Sequence, residues 1–176
     1  NIKYGIVTNR ADLKAWPIDD VIGYSADDTD DEMESSAANV NEPFIIKGKC
    51  ENNGETYYYG FTSNCTGWTN AKNIAICANK EEWLEAWKVQ IGNNDFVVVT
   101  QDRITLESFL TSPETSDVKL MLGTVLKLVP DSEKPENISG RGTWNNYVVY
   151  LPTRDEEGNY VKKYALISEH YAVNKG

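Results

Sequence analysis

The sequence predicts a mainly β fold made of two small barrels joined by one short helix. Short runs of β-branched and aromatic residues recur along the chain and are separated by turn residues such as Asn and Gly. Helical spacing of apolar residues occurs in one place, residues 79–90. A chain of 176 residues is long for one small barrel and sufficient for two, and its 40% hydrophobic content is typical of globular domains.

The first predicted barrel is a meander of short strands. Residues 44–49 are apolar and β-branched, residues 51–54 (ENNG) supply turn chemistry, and residues 56–62 resume with aromatic side chains, which predicts a hairpin. A second tight reversal at residues 65–68 leads into a further strand over residues 69–76. The meander has the size of a small barrel.

The predicted helix follows directly. Asn79 is a favourable N-cap, two glutamates lie in the first turn, and Trp83, Leu84 and Trp87 recur at helical spacing. We expect both tryptophans to be buried between the barrels, because a helical pair of large apolar side chains is usually part of a core. The predicted organisation is therefore residues 1–78 as the first barrel, 79–95 as a helical connector and 96–176 as the second barrel.

The second predicted barrel contains five apolar runs of strand length. They are residues 96–100, 120–122, 125–129, 147–151 and 164–167. Residues 130–142 hold two prolines and two glycines and predict a long loop within this barrel.

Charge and cysteine usage exclude several classes of function. A formal charge of -10 repels phosphate backbones and anionic lipid surfaces, so neither nucleic acid nor membrane partners are expected. No apolar stretch approaches the length of a spanning helix. The three cysteines have no C-x-x-C spacing, and their odd number precludes complete pairing within the chain. No metal or other cofactor is predicted.

A long acidic segment, residues 19–40, is expected to be a solvated loop. Six carboxylates are packed between Asp27 and Glu34. Their spacing lacks the Gly and terminal Glu of an EF-hand loop, so specific metal binding is not predicted. A carboxylate of this loop facing aromatic strand residues could bind an ammonium group, and the candidates are Asp31 and Glu34 with Tyr57 to Tyr59. The alternative is that the loop is only solvated and the tyrosines pack in the barrel.

Two groups of motifs follow one another along the chain. The first group comprises residues 4–17 (YGIVTNRADLKAWP), 31–36 (DEMESS), 41–43 (NEP), 57–61 (YYYGF) and 67–68 (GW). The second comprises residues 96–100 (FVVVT), 122–124 (LGT) and 150–155 (YLPTRD) with Gly158. In this order they resemble the first and the second SH3-like domain of one family, the multidomain NlpC-type, papain-like cysteine peptidases of bacterial cell walls.

The resemblance implies a non-catalytic part of a secreted, extracellular cell-wall enzyme. In that family a papain-like catalytic domain of the same polypeptide follows the SH3-like domains and cleaves peptidoglycan stem peptides. The first SH3-like domain closes one end of the substrate groove with an acidic residue and a tyrosine. By position the acidic candidates here are Asp31 and Glu34. Together with the aromatic strand residues named above, the candidate ligand-binding residues are Asp31, Glu34, Tyr57 and Tyr59. The tyrosine usual before the Gly-Trp pair is replaced by Cys65.

Two other functions are compatible with the sequence. The barrels could bind peptidoglycan or a surface protein directly, as a stand-alone module without a peptidase. An enzyme could also use Cys65 or Cys77 with His170, the single histidine, but no cysteine stands in a helix-opening nucleophile motif. We therefore predict no catalytic residues on this chain.

Overall fold

The computed structural model describes residues 2–25 and 27–174. Within them lie sixteen strands and one α-helix. In chain order these are β1 (Lys3–Val7), β2 (Ala11–Lys14), β3 (Glu34–Ala38), β4 (Pro43–Asn52), β5 (Glu55–Phe61), β6 (Thr66–Asn70), β7 (Ile74–Ile76), α1 (Lys80–Trp87), β8 (Phe96–Val99), β9 (Arg103–Thr105), β10 (Lys119–Met121), β11 (Val125–Lys127), β12 (Asn137–Ile138), β13 (Arg141–Gly142), β14 (Asn146–Arg154), β15 (Tyr160–Ser168) and β16 (Ala172–Asn174).

The first half of the chain forms a seven-stranded sheet in the order β3-β2-β6-β5-β4-β1-β7. All its neighbouring strands are antiparallel. The predicted hairpin is confirmed as β4 and β5. Its turn residues Asn53 and Gly54 both have positive φ, 50° and 81°, as a two-residue hairpin turn requires. Leu13, Phe44 and Ile74 are fully buried in the core of this half.

The second half contains smaller antiparallel sheets. One is β11-β8-β16, and the longest hairpin is β14 with β15, paired over nine residues on each strand. Alternate residues of these strands point into one core. It is built mainly from aliphatic side chains of this half, including Val97, Val99, Leu120, Leu126, Val149, Leu151 and Ile167, all at most 1% exposed.

Helix α1 packs between the two halves. Its predicted N-cap is confirmed, since Asn79 Oδ1 accepts from Glu82 N at 2.8 Å. Trp83 is buried with Ile6 of β1, and Tyr160 of β15 packs on the same cluster. Trp87 is half-buried and meets the Trp83 ring edge-on at 5.4 Å. Burial between the halves is thus observed, completely for Trp83 and partly for Trp87.

Further contacts join the halves away from the helix. The edge strand β7 forms a parallel bridge from Ile76 to Asn159, and Asn41 Nδ2 donates to Val125 O at 3.1 Å. Val40 belongs to the core of the second half. The halves therefore share an interface, and the exact domain bounds stay a prediction.

The mainly β class is confirmed, and the detail of the barrels is corrected. Over residues 2–25 and 27–174 no sheet closes into a barrel. The edge strands β3 and β7 of the large sheet do not pair with each other, and the other sheets have only two or three strands. The expected strand over residues 69–76 is divided by a 3-10 turn at Ala71–Asn73 into β6 and β7. The acidic segment contains β3, and the loop over residues 130–142 contains the short hairpin β12-β13.

Candidate functional site

The candidate site is the face of the large sheet that lies under residues 15–33, the acidic loop between β2 and β3. Cross-strand register places Lys14, Trp68 and Tyr59 in one row, and Tyr57 and Asn70 in the next. Side chains directly opposite one another in antiparallel strands project to the same face. We call these five residues the loop-covered face.

Lys14 holds the acidic loop on this face. Its Nζ lies 2.6 Å from Asp31 Oδ2 and donates to the carbonyl oxygens of Asp19, at 3.1 Å, and Asp20, at 2.9 Å. The Lys14 and Asp31 side chains are 6% and 8% exposed. A lysine ammonium group has three N–H donors, so these three oxygen atoms satisfy all of them in a position that is shielded from water. The sequence analysis did not identify Lys14. The signal that could have found it is a lysine at the end of a short strand, directly before an acidic segment.

Asp31 is occupied on both oxygens. Besides Lys14, it accepts from Ile22 N at 3.3 Å and Met33 N at 3.0 Å through Oδ1. The hydrogen bond from Lys14 and these two backbone donors hold the pKa of the Asp31 carboxyl below its usual value, against a smaller opposing effect of burial. Asp31 therefore does bind an ammonium group, and that group is the chain's own Lys14.

Glu34 begins β3 and is the more accessible of the two predicted carboxylates. Its Oε1 lies 3.8 Å from Arg10 Nη2, and its side chain is 33% exposed. Arg10 is also 3.2 Å from Asp12 Oδ1. A shared, long ion pair leaves most of the hydrogen-bonding capacity of the Glu34 carboxylate free.

The two predicted tyrosines differ in their surroundings. Tyr57 is 4% exposed, and burial, followed by the nearby Asp19 carboxylate, raises the pKa of its phenol. Asp19 is itself held by Asn70 Nδ2 at 2.8 Å. Tyr59 is half-buried and packs on Trp68 with ring centroids 5.2 Å apart. The face thus brings together an aromatic pair and an ordered carboxylate. Ligand binding by Asp31, Glu34, Tyr57 and Tyr59 stays a prediction.

The acidic loop also exposes several large apolar or aromatic side chains. Trp16 is 63%, Val21 61% and Tyr24 87% exposed. The backbone beneath them is fixed by Lys14 and by Asn52 Nδ2, which donates to Pro17 O at 3.0 Å. A contiguous apolar patch of this kind would mark a surface that another protein covers.

The cysteines do not form a nucleophilic pair with the histidine. Cys77 is 5% exposed, and burial, with a smaller effect of Glu82, raises the pKa of its thiol to about 12. Cys65 contacts Thr62 Oγ1 at 3.2 Å. His170 is exposed in the turn after β15 and lines a cavity whose wall contains no described cysteine. A thiol with so high a pKa is not a nucleophile at neutral pH.

Residues 2–25 and 27–174 bring together no group of three or more side chains of the types that hold metals. The same residues contain no helix long and apolar enough to cross a bilayer, since α1 has eight residues.

Comparison with solved structures identifies a similar fold. The structure resembles part of an NlpC/P60 endopeptidase from Photobacterium damselae subsp. piscicida, with a TM-score of 0.66 and 16% sequence identity. The match covers 97% of this chain and 33% of that chain. The fold is shared. The chain spans about a third of the length of that enzyme. No family model matches the sequence, and no curated protein matches it.

Proposed function

We propose that this chain is a non-catalytic targeting and substrate-positioning part of a secreted cell-wall endopeptidase that cleaves peptidoglycan stem peptides. The observation that carries the proposal is the extent of the fold match, nearly the whole of this chain against a third of an NlpC/P60 endopeptidase. The remainder of such an enzyme has room for a papain-like catalytic domain in the same polypeptide. The two SH3-like domains expected from the sequence motifs are the finer form of this proposal.

The thiols of the described residues favour a non-catalytic role. A cysteine peptidase needs a thiolate with an imidazole in hydrogen-bond reach. The burial of Cys77 opposes ionisation, and the exposed His170 is in the other half of the chain. Cleavage must then be carried out elsewhere in the enzyme.

The acidic loop is the surface we assign to the catalytic domain. Its exposed Trp16, Val21 and Tyr24 would be covered by that domain, while Lys14 keeps the loop in one conformation before docking. A pre-ordered loop loses little conformational entropy on binding. Glu34 and Tyr59 would then stand at the edge of the shared groove and contact the free amino end of a stem peptide.

The hydrolysis test uses the isolated chain. It is incubated with muropeptides and analysed by mass spectrometry beside an active NlpC/P60 endopeptidase as positive control. We expect no cleavage. Cleavage that disappears in a His170→Ala variant would contradict the proposal and favour the alternative in which the chain is an enzyme that uses Cys65 or Cys77 with His170.

The binding test follows amide NMR shifts while a stem peptide with a free N-terminal L-Ala is added. An exposed ammonium-carboxylate contact is worth under about 1 kcal/mol, so we expect millimolar affinity and shifts around Glu34. Glu34→Gln should reduce the shifts, whereas Glu32→Gln, which changes an exposed carboxylate of the same loop, should not. Shifts confined to the second half and insensitive to Glu34→Gln would refute the assignment. Micromolar binding to purified sacculi would favour the stand-alone module.

A further inference from the structure

The second half contains a cavity of about 460 Å³ that lies between two strand edges. Residues 164–168 of β15 form one wall, and residues 104–107, which include the end of β9, form another. Consecutive side chains of a strand point to opposite faces, so a cavity lined by every residue of such a run lies along the edge of the strand. The other edge of each strand is paired, β9 with β10 and β15 with β14. The cavity therefore lies between the free edges of β9 and β15.

The hydrogen bonds around β14 show which main-chain groups of β15 lie on its free edge. Val148 O accepts from Val129 N at 2.9 Å, on the side of β14 that faces away from β15, and Val148 lies opposite Leu166 in the register. Opposite residues of an antiparallel pair alternately exchange both hydrogen bonds or neither. Leu166, and Tyr164 two residues before it, therefore point their N–H and C=O groups away from β14. These four groups have no partner among the described residues.

The free edge of β9 has the same property. Leu106 N donates at 2.9 Å to the carbonyl oxygen of Val118, the residue directly before β10. Thr105, the last residue of β9, precedes Leu106 and so points its N–H and C=O groups the opposite way, away from β10. The two walls of the cavity thus present unpaired main-chain donors and acceptors on both sides.

The floor between these edges is the core of the second half. Ile104, Leu106, Ala165 and Ile167 line the cavity, belong to one buried cluster and are at most 9% exposed. Both strands thus point alternate side chains into the same core, and the gap between their free edges leaves that core open to the cavity. A further strand in this gap would place every second side chain on an apolar floor and the others in solvent.

The pattern of these groups limits what can fill the gap. Main-chain donors and acceptors that recur every second residue are matched by another extended polypeptide, which is how sheet edges bind peptides. Five residues of β15 line the cavity, the length of an ordinary short strand. The charged pair at the rim, Arg141 and Glu107 at 3.2 Å, is neutral in sum, and a chain of charge -10 attracts a basic segment more than an acidic one.

We infer that the free edges of β9 and β15 bind an extended segment of a partner protein by strand addition. The segment carries apolar side chains at alternate positions, which pack on the floor, and basic or polar side chains at the positions between them. Its main chain bonds to Tyr164 and Leu166 on one side and to Thr105 on the other. The inference goes beyond the proposed function, because it concerns another surface and an ordinary peptide strand, and it does not depend on stem-peptide binding.

The experiment is amide hydrogen exchange of the chain, followed by NMR, with the peptide acetyl-KVTVK-amide as the probe. Its valines occupy alternate positions and its lysines complement the negative chain. Without peptide, the amides of Thr105, Tyr164 and Leu166 should exchange fast, whereas those of Ala165 and Ile167 are protected by the β14 ladder. We expect a Kd on the order of 0.1 to 1 mM, and exchange of the three edge amides about tenfold slower at a peptide concentration of ten times the Kd.

Two control peptides separate main-chain pairing from simple attraction. The same peptide N-methylated at its central threonine lacks one donor and should bind about tenfold more weakly, the factor that one hydrogen bond supplies. The peptide acetyl-KVVTK-amide has the same composition and charge without the alternation, and it should also bind more weakly.

Two variants of the chain test the edge itself. Leu166→Pro removes a free-edge N–H that the β14 ladder does not use, so it should weaken binding about tenfold while the chain stays folded by circular dichroism. Lys162→Pro is the matched control, because Lys162 lies on the same edge of β15 but does not line the cavity, and it should leave binding unchanged. If Leu166→Pro does not fold, the N-methylated peptide decides between the outcomes.

Each contrary result would overturn the inference. These are edge amides whose exchange the probe does not slow, equal affinity for the N-methylated peptide, or equal affinity for acetyl-KVVTK-amide. Edge amides already protected without peptide, increasingly so at higher chain concentration, would show that a second copy of the chain fills the gap. Displacement of the probe by the stem peptide with free L-Ala would assign the cavity to that ligand instead. Failure of the strand inference leaves the stem-peptide titration untouched, since that experiment probes Glu34.

Discussion

Replacing Trp83 by Phe is expected to destabilise the protein more than replacing Trp87 by Phe. Both tryptophans lie on α1, four residues apart, and their rings touch. Trp83 Nε1 donates to Gly5 O at 2.9 Å in a buried hydrogen bond. Trp87 Nε1 is also buried, but it has no hydrogen-bond partner among the described residues. The two positions therefore differ in this hydrogen bond and in the burial of the ring, since Trp83 is buried and Trp87 is half-buried.

The magnitude follows from what each variant removes. Trp83→Phe removes the buried hydrogen bond to the Gly5 carbonyl oxygen, which costs about 0.5 to 1.5 kcal/mol. The smaller ring also buries less apolar surface, which costs about 1 kcal/mol more. Trp87→Phe loses only part of that area, since Trp87 is half-buried, and it removes a donor that is unsatisfied. We expect about 1.5 to 2.5 kcal/mol for Trp83→Phe and about 1 kcal/mol or less for Trp87→Phe.

The assay is urea unfolding of both variants, followed by far-ultraviolet circular dichroism, with thermal unfolding as a second measurement. For a chain of this size the expected loss in Trp83→Phe corresponds to roughly 3 to 10 °C in Tm. Equal losses of unfolding free energy in the two variants would refute the reasoning, because the hydrogen bond to Gly5 would then contribute nothing measurable. A larger loss of unfolding free energy in Trp87→Phe would show that Trp87, and not Trp83, makes the more stabilising contact.

Three further expectations concern other positions. Gly60→Ala should lower the free energy of unfolding by about 1 to 3 kcal/mol, because an added Cβ would collide with the Ile45 carbonyl oxygen, and unchanged urea midpoints would contradict this. The lowered pKa of Asp31, which is held down by Lys14, stabilises the folded chain above the ordinary value of 3.8. The difference in urea midpoint between wild type and Asp31→Asn should therefore shrink as pH falls below about 4, and a difference that grows on acidification would show the opposite sign. Cys77, whose thiol pKa is raised to about 12, should react with iodoacetamide far more slowly in the folded chain than after unfolding, as mass spectrometry of the alkylated peptides will show; equal rates would argue against its burial.

The sequence indicates which residue types could form the candidate site but not how they are arranged. Carboxylates and aromatic rings suit an ammonium ligand, which favours Asp31 and Glu34 with Tyr57 and Tyr59. The sequence does not show whether that ammonium group belongs to a ligand or to a lysine of the same chain. A loop of nineteen residues is long enough to fold back onto the strand that precedes it. Lys14 precedes the loop directly, so it reaches the nearby carbonyls of Asp19 and Asp20 easily, but its contact with Asp31 requires the loop to return to its starting strand. Such a contact depends on the path of the loop, which no local pattern encodes.

Local chemistry in the sequence determined the elements whose signals are confined to a few neighbouring residues. The Asn53-Gly54 turn defines the β4-β5 hairpin because only residues that tolerate positive φ close it, and Asn79 begins α1 because its side chain caps the first free amides. Tertiary structure alone decided the rest. Strands such as β3 and β16 are short and exist because a partner strand completes their hydrogen bonds. Likewise, the cavity of the second half is lined by residues far apart in the chain, from Ile104 to Tyr171, which only the packing of that half brings together.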